Sequence, residues 1–114
     1  MRALDEVQLK PNDRAAVERA AQILRQRFPV ERLILFGSKA RGEDDAESDI
    51  DLLVLSSRPL SWRDRDAVME ALFDLQLELE VVFTPVVIPL DEWENGVYQV
   101  LPLRKEVERD GVLL

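Results

Sequence analysis

The 114-residue sequence has no cysteine and no histidine. Without cysteine there is no disulfide framework and no thiolate zinc site. Without histidine the commonest transition-metal ligand and the commonest general base are both missing. Any metal this chain holds is therefore a hard cation on oxygen ligands. Basic charge is also in short supply: 15 Lys and Arg stand against 23 Asp and Glu, a formal net charge of −8. Bulk DNA or RNA binding draws its affinity from Lys and Arg neutralising phosphates, so it is not expected here. A basic protein partner suits that charge, and plain solubility suits it equally. No apolar run approaches the roughly 20 residues that span a bilayer, and the mixed polar start from Met1 to Pro11 does not read as a signal peptide. A cytoplasmic protein without membrane contact is expected. Four Gly and six Pro are too few for a low-complexity chain.

What is present suits one compact domain over residues 1–114, with 46% apolar and 33% charged residues and neither repeat nor linker. After Pro11, Asn12 or Asp13 is placed to cap a helix on which Val17, Ala20, Leu24 and Phe28 recur on one face, ending before Pro29. Leu33 to Phe36 is a short apolar run closed by Gly37 and reads as a buried strand; Ile50 to Leu55, interrupted by Asp51, reads as a second. A long helix is predicted from about Trp62 to Glu78, then a strand from Val81 to Ile88 with Pro85 marking an edge or bulge. A helical turn over Asp91 to Glu94 and a helix from Leu103 to Asp110 follow, with Val112 to Leu114 trailing. The fold class is α/β, a small mixed sheet flanked by helices.

Two devices sit within Leu35 to Leu55. Gly37 and Ser38 directly follow the first strand, with Gly42 four residues beyond Ser38. Small residues there let backbone N–H groups approach a phosphate, a helix starting at Ser38 would aim its positive end at the same anion, and Lys39 and Arg41 add charge. Taken alone, a Gly-Ser pair with a later Gly is more often a plain turn. The second device is Asp49 and Asp51. Period two puts both carboxylates on one face of an otherwise apolar strand, where they repel unless a cation lies between them. Magnesium, which keeps substrate phosphates in its shell, fits such a pair. Asp49 can equally be the solvated end of the acidic loop Glu43, Asp44, Asp45, Glu47, whereas Asp51 between Ile50 and Leu52 is hard to explain by solubility.

In their joint order, apolar strand, Gly-Ser, Arg-Gly, short loop and Ser-Asp-Ile-Asp, these residues resemble the polymerase-beta-like nucleotidyltransferases. The stand-alone minimal nucleotidyltransferases are the most similar group. The resemblance implies that fold, with Gly37, Ser38, Arg41 and Gly42 at the triphosphate and Asp49 and Asp51 as catalytic ligands of divalent ions. It also implies transfer of a nucleotidyl group, AMP from ATP, to a hydroxyl acceptor. Stand-alone members resemble antitoxins of toxin-antitoxin pairs, so the implied partner is a HEPN-type helical protein acting in trans, with one of its Tyr residues as acceptor.

The family often carries a third acid on the strand after the long helix. Thr84 stands at that position and is no comparable base. Glu80, on the face of Val82 and Thr84 by alternation, is the candidate to supply the missing carboxylate; otherwise it belongs to the solvated helix end. A catalytically weak nucleotide-binding module that neutralises its partner by docking is the alternative. Trp62 and Trp93 fit core packing or a partner interface better than base stacking, and an oligomer is possible.

Overall fold

The computed structural model describes residues 1–43 and 49–114. Its elements are β1 (Arg2–Ala3), α1 (Pro11–Arg27), β2 (Val30–Phe36), α2 (Gly37–Arg41), β3 (Ile50–Ser56), α3 (Trp62–Leu79), β4 (Phe83–Pro89), α4 (Leu90–Asn95), α5 (Pro102–Asp110) and β5 (Val112–Leu113), with 3-10 turns at Leu4–Glu6 and Val97–Val100. The sheet runs β1-β5-β2-β3-β4 and is mixed: β2 is antiparallel to β3 and β5, while β4 is parallel to β3 and β1 to β5.

Both faces of the sheet are covered, which is why its central strands read as continuous apolar runs. Leu33, Leu35, Ile50, Leu52 and Val54 pack with Val17 and Leu24 of α1 and Val68, Leu72 and Leu75 of α3. Ile34, Phe36, Leu53, Leu55 and Ile88 form a second core with Trp93 and Val107. Alternation divides the two sets, so Asp51 shares the α4 and α5 face with Leu53 and Leu55. Pro85 lies on β4, an edge strand, where its missing N–H costs no ladder bond on the open side.

The helix ends differ from expectation in instructive ways. Neither Asn12 nor Asp13 caps α1: Lys10 is the cap and Pro11 takes the first turn, where its missing N–H costs nothing. Asn12 instead donates to the Leu79 carbonyl (2.8 Å), tying α1 to the end of α3. At the start of α3 the Ser61 hydroxyl accepts from the Asp64 N–H (3.1 Å).

Two expectations are corrected. Glu80 is not on a strand. It caps α3 in the left-handed conformation (φ 56°), and β4 begins only at Phe83, so the alternation that aimed Glu80 at the face of Thr84 does not extend to it. Val112 to Leu114 does not merely trail: Ile34 pairs with Leu113, Leu35 with Val112, and the Leu114 N–H reaches the Leu33 carbonyl (2.9 Å). The segment is too short to show a strand period, but it satisfies backbone groups of β2 that would otherwise be left open.

Candidate active site

The site is built where β2 and β3 meet. Phe36 pairs with Asp51 across the two strands, so the residue after Phe36 arrives beside the Asp51 carboxylate. That residue is Gly37, at φ 78°, and a Cβ there would collide with Oδ2 of Asp51. Only glycine satisfies both the backbone angle and the approach.

Asp51 pairs with Thr84 on the parallel neighbour β4, and residues paired in this way project to the same side. The Thr84 hydroxyl donates to Oδ2 of Asp49 at 3.0 Å. Asp49, Asp51 and Thr84 are thereby gathered on one face, beside the Gly37 turn. Burial pushes the Asp51 carboxyl above its ordinary value, Asp49 and Glu106 push it further the same way, and Arg41 opposes them. The pair is thus uncomfortable as two bare anions, the condition a divalent cation relieves. Among the described residues no three acidic side chains converge in metal-binding geometry. Two carboxylates suffice for magnesium, which commonly takes one or two from protein and the rest of its shell from water and phosphate.

The rest of the phosphate device is rearranged. The helix that opens at Gly37 has five residues, too few aligned peptides for a substantial dipole, so anion affinity would rest on individual N–H groups of its first turn. Ser38, half-buried, lies on that turn. Gly42 serves the backbone: it caps the helix at φ 72°, its N–H directed at the Lys39 and Ser38 carbonyls. Lys39 turns inward. It is 2% exposed and pairs with Asp13 at 2.9 Å beneath α1, which removes it from the charge available to a phosphate.

Arg41 is held at the surface by carboxylates: 3.1 Å to Glu43, 3.6 Å to Glu106 and 3.6 Å to Asp110. Arg2 pins both supports, donating to the Ala40 carbonyl (2.9 Å) at the end of α2 and to the Asp110 carbonyl (2.6 Å) at the end of α5. Glu106 is a site neighbour that the sequence reading missed. In the sequence it is one more charge on an amphipathic helix, and only the insertion of β5 behind α5 brings that helix to the Asp51 end of the sheet. The acidic stretch Asp44, Asp45, Glu47 lies outside the described residues.

The tryptophans divide. Trp93 is 4% exposed, core as expected, with Arg104 above its ring at 5.0 Å. Trp62 is 69% exposed and so is not core. It follows the far end of β3 and opens α3, which covers the sheet face opposite Asp51, so it is not placed to stack on a base bound on the Asp51 side.

Comparison with known proteins agrees with this geometry. Residues 17–110 match the family model of the nucleotidyltransferase domain. A Methanocaldococcus jannaschii protein provisionally named a protein adenylyltransferase is 30% identical over 73 residues, covering 58% of this chain and 74% of that protein. A solved structure described as a minimal nucleotidyltransferase aligns over 89% of this chain and 91% of its own, at 29% identity and a TM-score of 0.62. A toxin-antitoxin structure with AMP-PNP shares the fold at 20% identity and a TM-score of 0.60, over 91% of this chain and 72% of that one. No helix among the described residues is long and apolar enough to cross a membrane. With the family model matched over most of its length and the Gly37 turn set against Asp51, this chain belongs to the nucleotidyltransferase domain family and is a nucleotidyltransferase by enzyme class.

Proposed function

We propose that this nucleotidyltransferase transfers AMP from ATP to a hydroxyl on a protein, with Asp49 and Asp51 holding magnesium. The observation that carries this reading is the gathering of Asp49, Asp51 and Thr84 on one face directly against Gly37. Magnesium, when bound, supplies charge stabilisation to the attacking and leaving oxygens of the in-line displacement. The chain's own residues position and orient. Gly37 lets the turn close against the Asp51 carboxylate, and N–H groups of that turn with the Ser38 hydroxyl donate to the oxygens of a phosphate. Thr84 fixes the Asp49 carboxylate by its hydrogen bond. Arg41, at the same end, supplies a positive charge once a triphosphate competes for it with its carboxylate partners. The acceptor oxygen attacks the α-phosphorus, its bond to that atom forms as the bond to pyrophosphate breaks, and the hydroxyl proton passes to solvent or a nearby carboxylate.

The protein-adenylyltransferase relative supports AMP and a protein acceptor, and the AMP-PNP and toxin-antitoxin description of a structural neighbour supports ATP and an antitoxin role. The acceptor we favour is a Tyr of a HEPN-type partner acting in trans, and the setting is cytoplasmic. A second reading is favoured by Thr84, a hydroxyl where the family often has an acid: a module that binds nucleotide weakly and neutralises its partner by docking.

The deciding experiment incubates the protein with ATP labelled at the α-phosphate, magnesium and a co-purified HEPN-type partner. Label appearing on the partner, lost with Asp51→Asn, supports transfer. Neutralisation that persists in Asp51→Asn with no label transferred by the wild type supports docking alone.

A further inference from the structure

The helix α3 has two apolar faces, and the core uses only one. Val68, Leu72 and Leu75 are buried against the sheet. On the opposite side Trp62, Met69, Phe73 and Leu77 are 69%, 52%, 53% and 67% exposed. Their spacing of seven, four and four residues places them on a single stripe along the helix. Isolated exposed apolar residues are ordinary, but Met69, Phe73 and Leu77, one turn apart on one helix with Trp62 two turns before them, form a patch of the kind that marks an interaction site.

Beside the stripe runs a second row. Asp66, Glu70 and Asp74 are spaced four apart, all exposed, and none has an ion-pair partner among the described residues. The next acid of the helix, Glu78, is by contrast tied to Arg19 at 2.7 Å. The row is thus an anionic rail along an apolar track, open to incoming cations.

We infer that the outer face of α3 docks a basic amphipathic helix of another protein, its apolar residues on Trp62, Met69, Phe73 and Leu77 and its Lys or Arg residues along Asp66, Glu70 and Asp74. Charge complementarity selects this occupant over a second copy of the chain. An antiparallel self-pairing sets acid row against acid row, and any self-pairing brings together two molecules of formal charge −8. The stripe lies on the face of the sheet opposite Asp51, so the inference does not depend on the transfer chemistry.

The test uses two fluorescein-labelled helical peptides with the same Leu and Ala stripe, one carrying Lys along its flank and the other Glu. Each is titrated into the full chain by anisotropy, with amide chemical shifts locating the contact. The Lys peptide binds, the Glu peptide binds at least about tenfold more weakly, and Phe73→Ser weakens the Lys peptide about tenfold while thermal melts show the fold intact. Combined Glu70→Lys and Asp74→Lys reverses the preference. Equal affinity for the two peptides, no binding of either, or shifts centred away from residues 62–77 overturns the inference. A concentration-dependent dimer abolished by Phe73→Ser also overturns it, and assigns the face to a second copy.

Discussion

Thr84 donates its hydroxyl to Asp49 across 3.0 Å from the rung of β4 that pairs with Asp51. A residue that cannot act as a base is therefore tied into the acidic pair, and its role in this site is to orient. Thr84→Val removes one hydrogen bond to a charged group, worth about 1.5–3 kcal/mol at most and less at an exposed site. Magnesium-dependent ATP binding should weaken several-fold with little change in folding. Thr84→Asp should tighten magnesium binding by adding a third oxygen ligand. Calorimetric titration reads both, and unchanged affinity in both variants would remove Thr84 from the site.

Burial of the Asp51 carboxyl makes the stability of the fold depend on pH. Because its folded value lies above its ordinary one, the folded chain holds that proton more tightly than the unfolded chain. Stability from this group is full at low pH and is lost as pH rises from the unfolded value, about 3.9, through the raised folded value. Asp51→Asn should consequently melt higher than wild type at pH 7, with the gain disappearing below the unfolded value. Magnesium chloride should narrow the difference by stabilising only the wild type. Melts followed by circular dichroism check this, and a lower melting temperature for Asp51→Asn at pH 7 contradicts it.

Glu106 acts on the site twice, raising Asp51 and holding Arg41 at 3.6 Å. Glu106→Gln should lower the Asp51 carboxyl toward its ordinary value and release Arg41 in part. ATP should bind a few-fold more tightly as Arg41 is freed, by about 1 kcal/mol or less because the charges involved are partly screened by solvent, whereas magnesium alone should bind no more tightly, since a nearby negative charge is lost. Carbon-13 NMR titration of Asp51 reads the first effect and calorimetry the second.

The Lys39–Asp13 pair is structural rather than catalytic. Replacing Lys39 alone with Met leaves Asp13 buried and uncompensated, and the expected loss is about 3–5 kcal/mol. Adding Asp13→Leu should restore most of it. Urea unfolding of the single and double variants measures the difference, and a single-variant loss under about 1 kcal/mol would show that water reaches the pair.

Much of this was legible in the sequence because local rules and tertiary packing agree. Leu33 to Phe36 and Ile50 to Leu55 are central strands covered on both faces, and their apolar runs reveal it. Gly37 was legible as a special backbone position, but its second constraint, the Asp51 carboxylate against its Cα, exists only once β2 and β3 pair. Lys39 was misread for the opposite reason: nothing local distinguishes a lysine offered to a phosphate from one folded under α1 onto Asp13. Glu80 failed because period two holds only within a strand, and the left-handed cap of α3 delays β4 to Phe83. Val112 and Leu113 were invisible as a strand because two residues show no period, and with them went the clue that α5 carries Glu106 to the Asp51 end of the sheet.

The proposed function requires that a divalent ion and a triphosphate offset the repulsion between the two neighbouring carboxylates at the start of β3. It is tested most directly by titrating ATP into the wild type and Asp51→Asn, with and without magnesium. A binding isotherm is expected for the wild type only when magnesium is present, and none for Asp51→Asn in either condition. Binding of equal strength in all four titrations would contradict it.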